Sequence, residues 1–240
     1  MTFGDGTTDA APMPSAPVVR IDCRALRTNV EAMLLRSDGE YSVADLRHDA
    51  WGHGASPVGR ALLALGVDAF LVDERSGNGL AEELRGAAVG ASGGPTLDSA
   101  EAFGLPGTGG IPVMRLTGSV LVVKALRAGE GVSYGFAHRA AADTRVALVT
   151  GGYAHGIVRG LGGRAGVVIR GSRHPIVGRV AMDVCVVDIG DADVRRGDAV
   201  VFFGAGANDP SVGEWTEATG LTAAELVTAV GLRAIREYIT

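Results

Sequence analysis

The sequence predicts an α/β segment followed by an all-β segment. Residues 18–72 alternate short apolar runs with runs of helical period, the order expected of parallel strands joined by helical crossovers. From Pro112 onward, long Val- and Ile-rich runs separated by turn residues read as β-structure. Between the two, Gly77 to Gly110 holds ten glycines, with Pro95, Pro106 and, just beyond, Pro112. Such density marks a functional loop, a linker or a deletion scar, and a domain boundary is expected there.

Taken in order, residues 1–17 are rich in Gly, Ala, Thr and Pro and carry acids instead of a basic leader, so they read as a disordered tail. Residues 18–22 read as a strand and 24–35 as a helix, with Leu26, Val30 and Met33-Leu34 at helical spacing. Residues 41–46 form a second expected strand, 48–54 a polar turn, 57–65 a helix stopped by Gly66, and 67–72 a third strand. Within the glycine-rich stretch only 79–84 reads as helical. Strands are expected at 113–125, 145–149, 165–170 and 176–189, with turns at Arg127-Ala128-Gly129 and Arg196-Gly197-Asp198. Thr222-Ala223-Ala224-Glu225 is a capping box that opens a final helix, with Leu226, Val230 and Ile235 along one face. The expected organisation is a tail (1–17), an α/β domain (18–105), a glycine-rich segment (77–110) and a β-domain ending in a helix (111–240).

Composition sets limits on function. Of 240 residues, 47% are hydrophobic and 20% charged, which suits a globular core. The net charge of -5 argues against a nucleic-acid surface. No run reaches the roughly 18 apolar residues of a membrane span. Cys23 and Cys185 lack metal-like spacing and read as buried thiols in a reducing cytoplasm.

Three motifs point further. Asp49-Ala50-Trp51-Gly52-His53-Gly54 resembles the lysine motif K-A-D-A-Y-G-H-G of the alanine racemases, the pyridoxal-phosphate enzymes of fold type III. Ala128 to Gly135, read Ala-Gly-Glu-Gly-Val-Ser-Tyr-Gly, resembles the start of that family's C-terminal β-domain. Gly152-Tyr153-Ala154-His155-Gly156 and Val177-Gly178-Arg179-Val180-Ala181-Met182-Asp183 resemble its later loops. The likeness covers about 18–87 and then 102 to the C-terminus. Family members are well over a hundred residues longer, with a (β/α)8 barrel supplying most of the cofactor site. The resemblance therefore implies an incomplete, TIM-barrel-like α/β remnant followed by an alanine-racemase-type β-domain. The chain is expected to pass from the third barrel strand to the last near Phe103-Gly104-Leu105.

The resemblance also sets expectations for chemistry. The family's reaction needs a Schiff base between lysine and the cofactor aldehyde. Alignment puts Arg47 at that lysine, and a protonated, delocalised guanidinium forms no such link. Trp51 replaces a phosphate-contacting tyrosine, and Ile235 falls near a second. Cofactor-free chemistry is the expectation, with pyridoxal phosphate absent. Tyr153 aligns with the family's second proton carrier, and Met182-Asp183 with the loop meeting the substrate carboxylate. Tyr134 stands in an intact motif. A phenol, with a pKa of about 10, works as a base only where cations lower it, and Arg47, His53, His155 and Arg179 are candidates.

Each residue has a plainer reading. Tyr153 can be a buried interface tyrosine, Arg47 a solvated strand-end charge, His53 a cap on backbone groups and His155 drift from the family's aspartate. Asp183, set in an apolar strand, needs a partner or a cleft. His48, Asp49 and His53 match no metal-ligand spacing, so no metal is expected. The leading expectation is a cytoplasmic homodimer acting on a small molecule at the subunit cleft by isomerisation, elimination or cyclisation. Its catalytic residues would be Tyr153, Arg47, Asp183 and His155, with Met182, Tyr134, His53 and Trp51 around the ligand. A non-catalytic pseudoenzyme binding a ligand or a partner racemase is the alternative, and an active racemase the third reading.

Overall fold

A six-stranded antiparallel barrel dominates the molecule. The computed structural model describes residues 16–74, 77–90 and 93–240, apart from the side chains at 78 and 134. The expected tail thus lies almost wholly outside the described residues. In chain order the elements begin β1 (Val18–Asp22), α1 (Cys23–Arg36), β2 (Val43–Asp45), α2 (Arg47–Trp51), α3 (Ala55–Leu63) and β3 (Ala69–Leu71). Next come α4 (Gly77–Glu83), β4 (Ala88–Val89), α5 (Ser99–Ala102), β5 (Met114–Leu126), β6 (Gly131–Val132), β7 (His138–Arg139) and β8 (Thr144–Thr150). The chain ends with β9 (Gly166–Ile169), β10 (Ser172–Val177), β11 (Val184–Asp188), β12 (Ala199–Phe203), α6 (Val212–Thr219), α7 (Ala223–Gly231) and β13 (Ile235–Ile239).

Strands β12, β9, β10, β11, β8 and β5 pair in that order, and β5 pairs again with β12, which closes the barrel. Closure removes the exposed edges that an open sheet would carry. It requires β5 to turn a corner, and Gly118 sits there: a Cβ would lie 2.5 Å from the Thr150 carbonyl oxygen. Inside the barrel, Val120, Ala147, Val149, Val167, Ile169 and Val187 are fully buried. Cys185 is buried with them, which pushes its thiol up to about 12, whereas Cys23 is only half-buried.

The helical crossovers hold between β2 and β3, and β4, a strand the sequence did not lead one to expect, joins them in a parallel three-stranded sheet. They fail for β1, which pairs antiparallel with β5 and parallel with β13. The residues explain the difference. In β2 and β3 every residue is buried, as befits a parallel strand covered on both faces. In β1 only Val19 and Ile21 are fully buried, while Arg20 faces out to pair with Glu237.

Several expectations need correcting. Phe103-Gly104-Leu105 is not a strand but the exit from α5, whose N-cap is Asp98. The chain does not end in a helix: α7 stops at Gly231, and Ile235 belongs to β13. The run 176–189 is two strands, because Gly178 (φ 68°) breaks it into β10 and β11. The edge of β2 is covered from within, since the amides of Thr96 and Leu97 both donate to the Val43 carbonyl at 3.0 and 3.1 Å. Among the described residues, no helix is long and apolar enough to cross a membrane.

The element that positions the site is α2. From His48 to Trp51 its backbone is wound left-handed, with φ between 52° and 56°, and Gly52 continues the winding at 78°. For non-glycine residues this costs roughly 1–2 kcal/mol each, so the surroundings must hold it. They do so at several points. Asp73 accepts from the His48 amide (2.7 Å), Asp49 accepts from the Ala55 amide (2.7 Å) and pairs with Arg236, and the Tyr238 hydroxyl donates to the His53 carbonyl (3.1 Å). Beneath the turn, His53 is completely buried and stacked on Phe103, with ring centroids 4.0 Å apart.

Burial lowers His53 from 6.5 to about 4. Unfolded His53 takes up a proton near pH 6.5, whereas the folded residue stays neutral down to about pH 4. Stability is therefore complete above about 6.5 and falls as pH drops towards 4, by on the order of 3 kcal/mol in all. Denaturant midpoints measured across this window should decline, and His53→Phe should remove that share of the slope. An unchanged slope in the variant refutes the assignment. Separately, a Cβ on Gly231 would lie 2.2 Å from the Gly52 carbonyl oxygen, whereas one on Gly160 would meet nothing within 4 Å. Gly231→Ala should cost about 1–3 kcal/mol in the same assay, with Gly160→Ala close to neutral.

Candidate functional site

Two clusters of candidate residues lean on the last turns of α7. Gly52, at the end of the left-handed turn, meets the backbone of Thr228 and Gly231 at 3.0 Å from a built Cβ. Gly156, closing the Tyr153 loop, meets the backbone of Ala229 and Val230 at 2.3 and 2.7 Å in the same sense. Only glycine permits such approach, so both contacts fix loops against one helix.

The first cluster surrounds Arg47. Its Nε and Nη2 donate to the two oxygens of Asp45 at 2.8 and 2.7 Å, and its amide donates to Oδ1 at 3.0 Å. Burial works to raise the Asp45 carboxyl, but the hydrogen bonds and charge of Arg47 outweigh it and hold the group below the usual range. The same contact raises Arg47. Asp45, two residues upstream, was missed in the sequence; an acid at a strand end beside a basic residue was the available signal. Arg47, His48 and Trp51 form one wall of an open cleft of about 630 Å³, and Glu225 and Thr228 of α7, with Arg233 just beyond it, form the other. Trp51 thus lies where a ligand can meet it. His53 does not: it lies beneath the turn, its Nδ1 facing the Ala50 and Trp51 carbonyls at 3.0 and 3.2 Å. It is a strut for the turn, not a ligand contact.

The second cluster is built by backbone pairing. Gly151, Tyr153 and Ala154 donate their amides to the carbonyls of Asp183, Ala181 and Met182, each at 2.9 Å. Gly152 allows this pairing, since a Cβ there would lie 2.2 Å from the Met182 oxygen. The result holds Tyr153 (40% exposed) and Met182 (55% exposed) in solvent. Asp183 is exposed beside them, in the turn before β11, so the expected burial penalty does not arise. His155 Nδ1 accepts from the Gly152 amide at 3.3 Å, which is a local capping role. The cation over the Tyr153 ring is Arg159, 5.5 Å from its centroid, a residue that no sequence motif marks. Arg179 is exposed, with its amide donating to Ser133. The backbone of Tyr134 opens a short 3-10 turn, and its side chain lies outside the described residues.

Within one chain the two clusters remain separate, since neither Tyr153 nor Asp183 lines the Arg47 cleft. Among the described residues, no group of three His, Cys, Asp or Glu is placed to hold a metal ion. The residues present do not fit covalent attachment of pyridoxal phosphate. No lysine lines the Arg47 cleft, and the single lysine, Lys124, is exposed near the end of β5 beside Val132 and Ser133.

Comparison with known proteins identifies relatives. The family described as "Alanine racemase, C-terminal domain" matches residues 113–238. The alanine racemase of Mycobacterium leprae is 46% identical over 131 residues, covering 53% of this chain and 34% of that protein. That of Frankia casuarinae is 39% identical over 151 residues, covering 62% and 38%. The chain thus spans little more than a third of the length of the curated relatives it matches. In fold it is similar to the alanine racemase of Streptomyces coelicolor, with a TM-score of 0.79 at 22% identity over 94% of this chain and 98% of that one. It is also similar to the alanine racemase of Bartonella henselae solved with covalently bound pyridoxal phosphate, with a TM-score of 0.79 at 17% identity over 94% and 100%. With more than half its residues matched by that domain, the chain belongs to the alanine racemase family.

Proposed function

We propose that this chain works as a cytoplasmic homodimer that moves a proton on a small molecule without covalently held pyridoxal phosphate. The observation that carries the reading is the Tyr153 loop. Three amide-to-carbonyl bonds to 181–183 hold the phenol in solvent beside Met182 and Asp183, with Arg159 over its ring. A rigid display of one phenol and one carboxylate suits proton shuttling, as in isomerisation, elimination or cyclisation. Arg47, tied to Asp45, positions the cleft wall and supplies no free charge. A partner subunit would bring its Arg47 cleft against this loop, joining the two clusters that one chain keeps apart. The α/β elements of 18–105 are, in this reading, what remains of a larger barrel, and 111–240 the intact β-domain.

The mutual neutralisation of Arg47 and Asp45 favours a second reading, a non-catalytic pseudoenzyme that binds a ligand or a full-length racemase. Solvent exchange separates the two. In D₂O, with a panel of amino acids and 2-keto acids followed by NMR, the proposed enzyme should wash deuterium into at least one carbon acid. Tyr153→Phe should slow that exchange by about 10²-fold or more. Exchange equal in both proteins removes Tyr153 from the role, and none with any compound leaves the pseudoenzyme.

The third reading, an active racemase, is tested separately. With added pyridoxal phosphate the native protein should not interconvert alanine enantiomers, and borohydride should trap cofactor only at exposed amines such as Lys124. A stable adduct together with interconversion of alanine enantiomers overturns the proposal.

A further inference from the structure

A second cavity lies apart from both clusters, and nothing in the family resemblance accounts for it. It measures about 320 Å³ and is formed where the chain leaves α5 and heads for β5. Its floor is core: Phe103, Val113, Met114, Phe203 and Val227 are each less than 5% exposed. Its mouth is the loop of Pro106, Gly107 and Gly109, all exposed or nearly so. At Gly107 and Gly109 a built Cβ would meet nothing within 4 Å, so backbone and not side chain edges the opening.

The lining specifies what fits. None of its fifteen residues is ionisable, and Ser211 is the single side chain with a polar group. Ser211 Oγ accepts from the Gly213 amide at 2.9 Å, which leaves its hydroxyl proton to donate outward. A charged ligand entering here would lose hydration with no counter-ion to replace it. An apolar one would gain the dispersion contacts that the floor residues lack on their open side. Size narrows the class further, since an apolar cavity of about 150 Å³ accepts benzene. Roughly twice that volume suits two fused rings.

We infer that this cavity is a binding site for an uncharged, largely apolar ring system of about bicyclic size, with one hydrogen-bond acceptor directed at Ser211. The site is independent of the proton-transfer reading. Phe103 forms part of its wall and also stacks on His53, while Val227 contributes from α7, whose neighbouring residues Glu225 and Thr228 face the Arg47 cleft.

The test uses the full chain with quinoline as probe and naphthalene-2-carboxylate as its charged counterpart. With methyl-labelled protein, quinoline should give intermolecular NOEs to the methyls of Met114, Val212 and Val227 and none to Leu232 of the Arg47 cleft. Val212→Phe, which fills the space, should weaken binding at least tenfold while its thermal midpoint stays near that of the native chain. If that variant unfolds, Ser211→Ala gives the second reading: weaker quinoline binding, with naphthalene binding unchanged. NOEs to the Arg47 cleft, equal binding of the carboxylate, or no binding at all each overturn the inference.

Discussion

The proton-transfer reading depends on how closely two loops approach the backbone of α7. Gly52 and Gly231 approach face to face, and Gly156 lies against Ala229 and Val230. A methyl group at these points would collide with backbone, which cannot swing aside as a side chain can. The left-handed turn that carries Arg47 and Trp51 is therefore held from one end by α7. The other restraints are Asp73, Arg236 and Tyr238. The Tyr153 loop is held likewise, by α7 and by its pairing with 181–183. One short helix thus sets the relation between two groups of side chains that the sequence separates by a hundred residues.

Arg47, beside that turn, is held by the fold as well. Its guanidinium chelates Asp45 in a planar, two-point contact that a lysine ammonium would not reproduce. Asp45 is a buried carboxylate at the end of a fully buried strand, and leaving it unpaired would be costly. Arg47 thus satisfies a local electrostatic need. Selection for stability alone would keep it there.

How much was legible in the sequence follows from the range of the interactions involved. Local signals served well: helical spacing gave α1, and the capping box gave the start of α7 within a residue. The same reasoning applied to Ser211-Val212-Gly213-Glu214 with Gly220 behind it would have found α6, whose capping box and left-handed C-cap are both present. What stayed hidden was long-range. Nothing near Val18–Asp22 signals that it pairs with residues more than two hundred positions away, and the charged pattern of β13 conceals a strand stabilised by that pairing. For the site, motif likeness singled out Tyr153, Trp51 and Arg47, of which Arg47 and Trp51 line one cleft and Tyr153 stands apart from it. The likeness assigned His53 to a ligand role because a sequence cannot show that a glycine-flanked histidine turns inward onto Phe103. Asp183 was misjudged for a related reason: the break at Gly178 moves it from strand to turn.

The glycine-rich segment meets two structural demands at once. The short parallel sheet β2-β3-β4 leaves both a strand edge and apolar surface to cover, and the two call for different remedies. The edge is met by Thr96 and Leu97, which hydrogen-bond to Val43 and end the sheet. The surface is met less completely. Asn29 reaches from α1 to bind the carbonyls of Ala102 and Ile111 and the Ile111 amide, which fixes both ends of the loop 103–111. Between those anchors the loop is mostly glycine, and glycine has no side chain with which to fill the space beneath it. A loop secured at both ends over a floor of Met114, Val113 and Val227 cannot collapse freely onto that floor. The glycines that shape this loop therefore leave an apolar cavity beneath it.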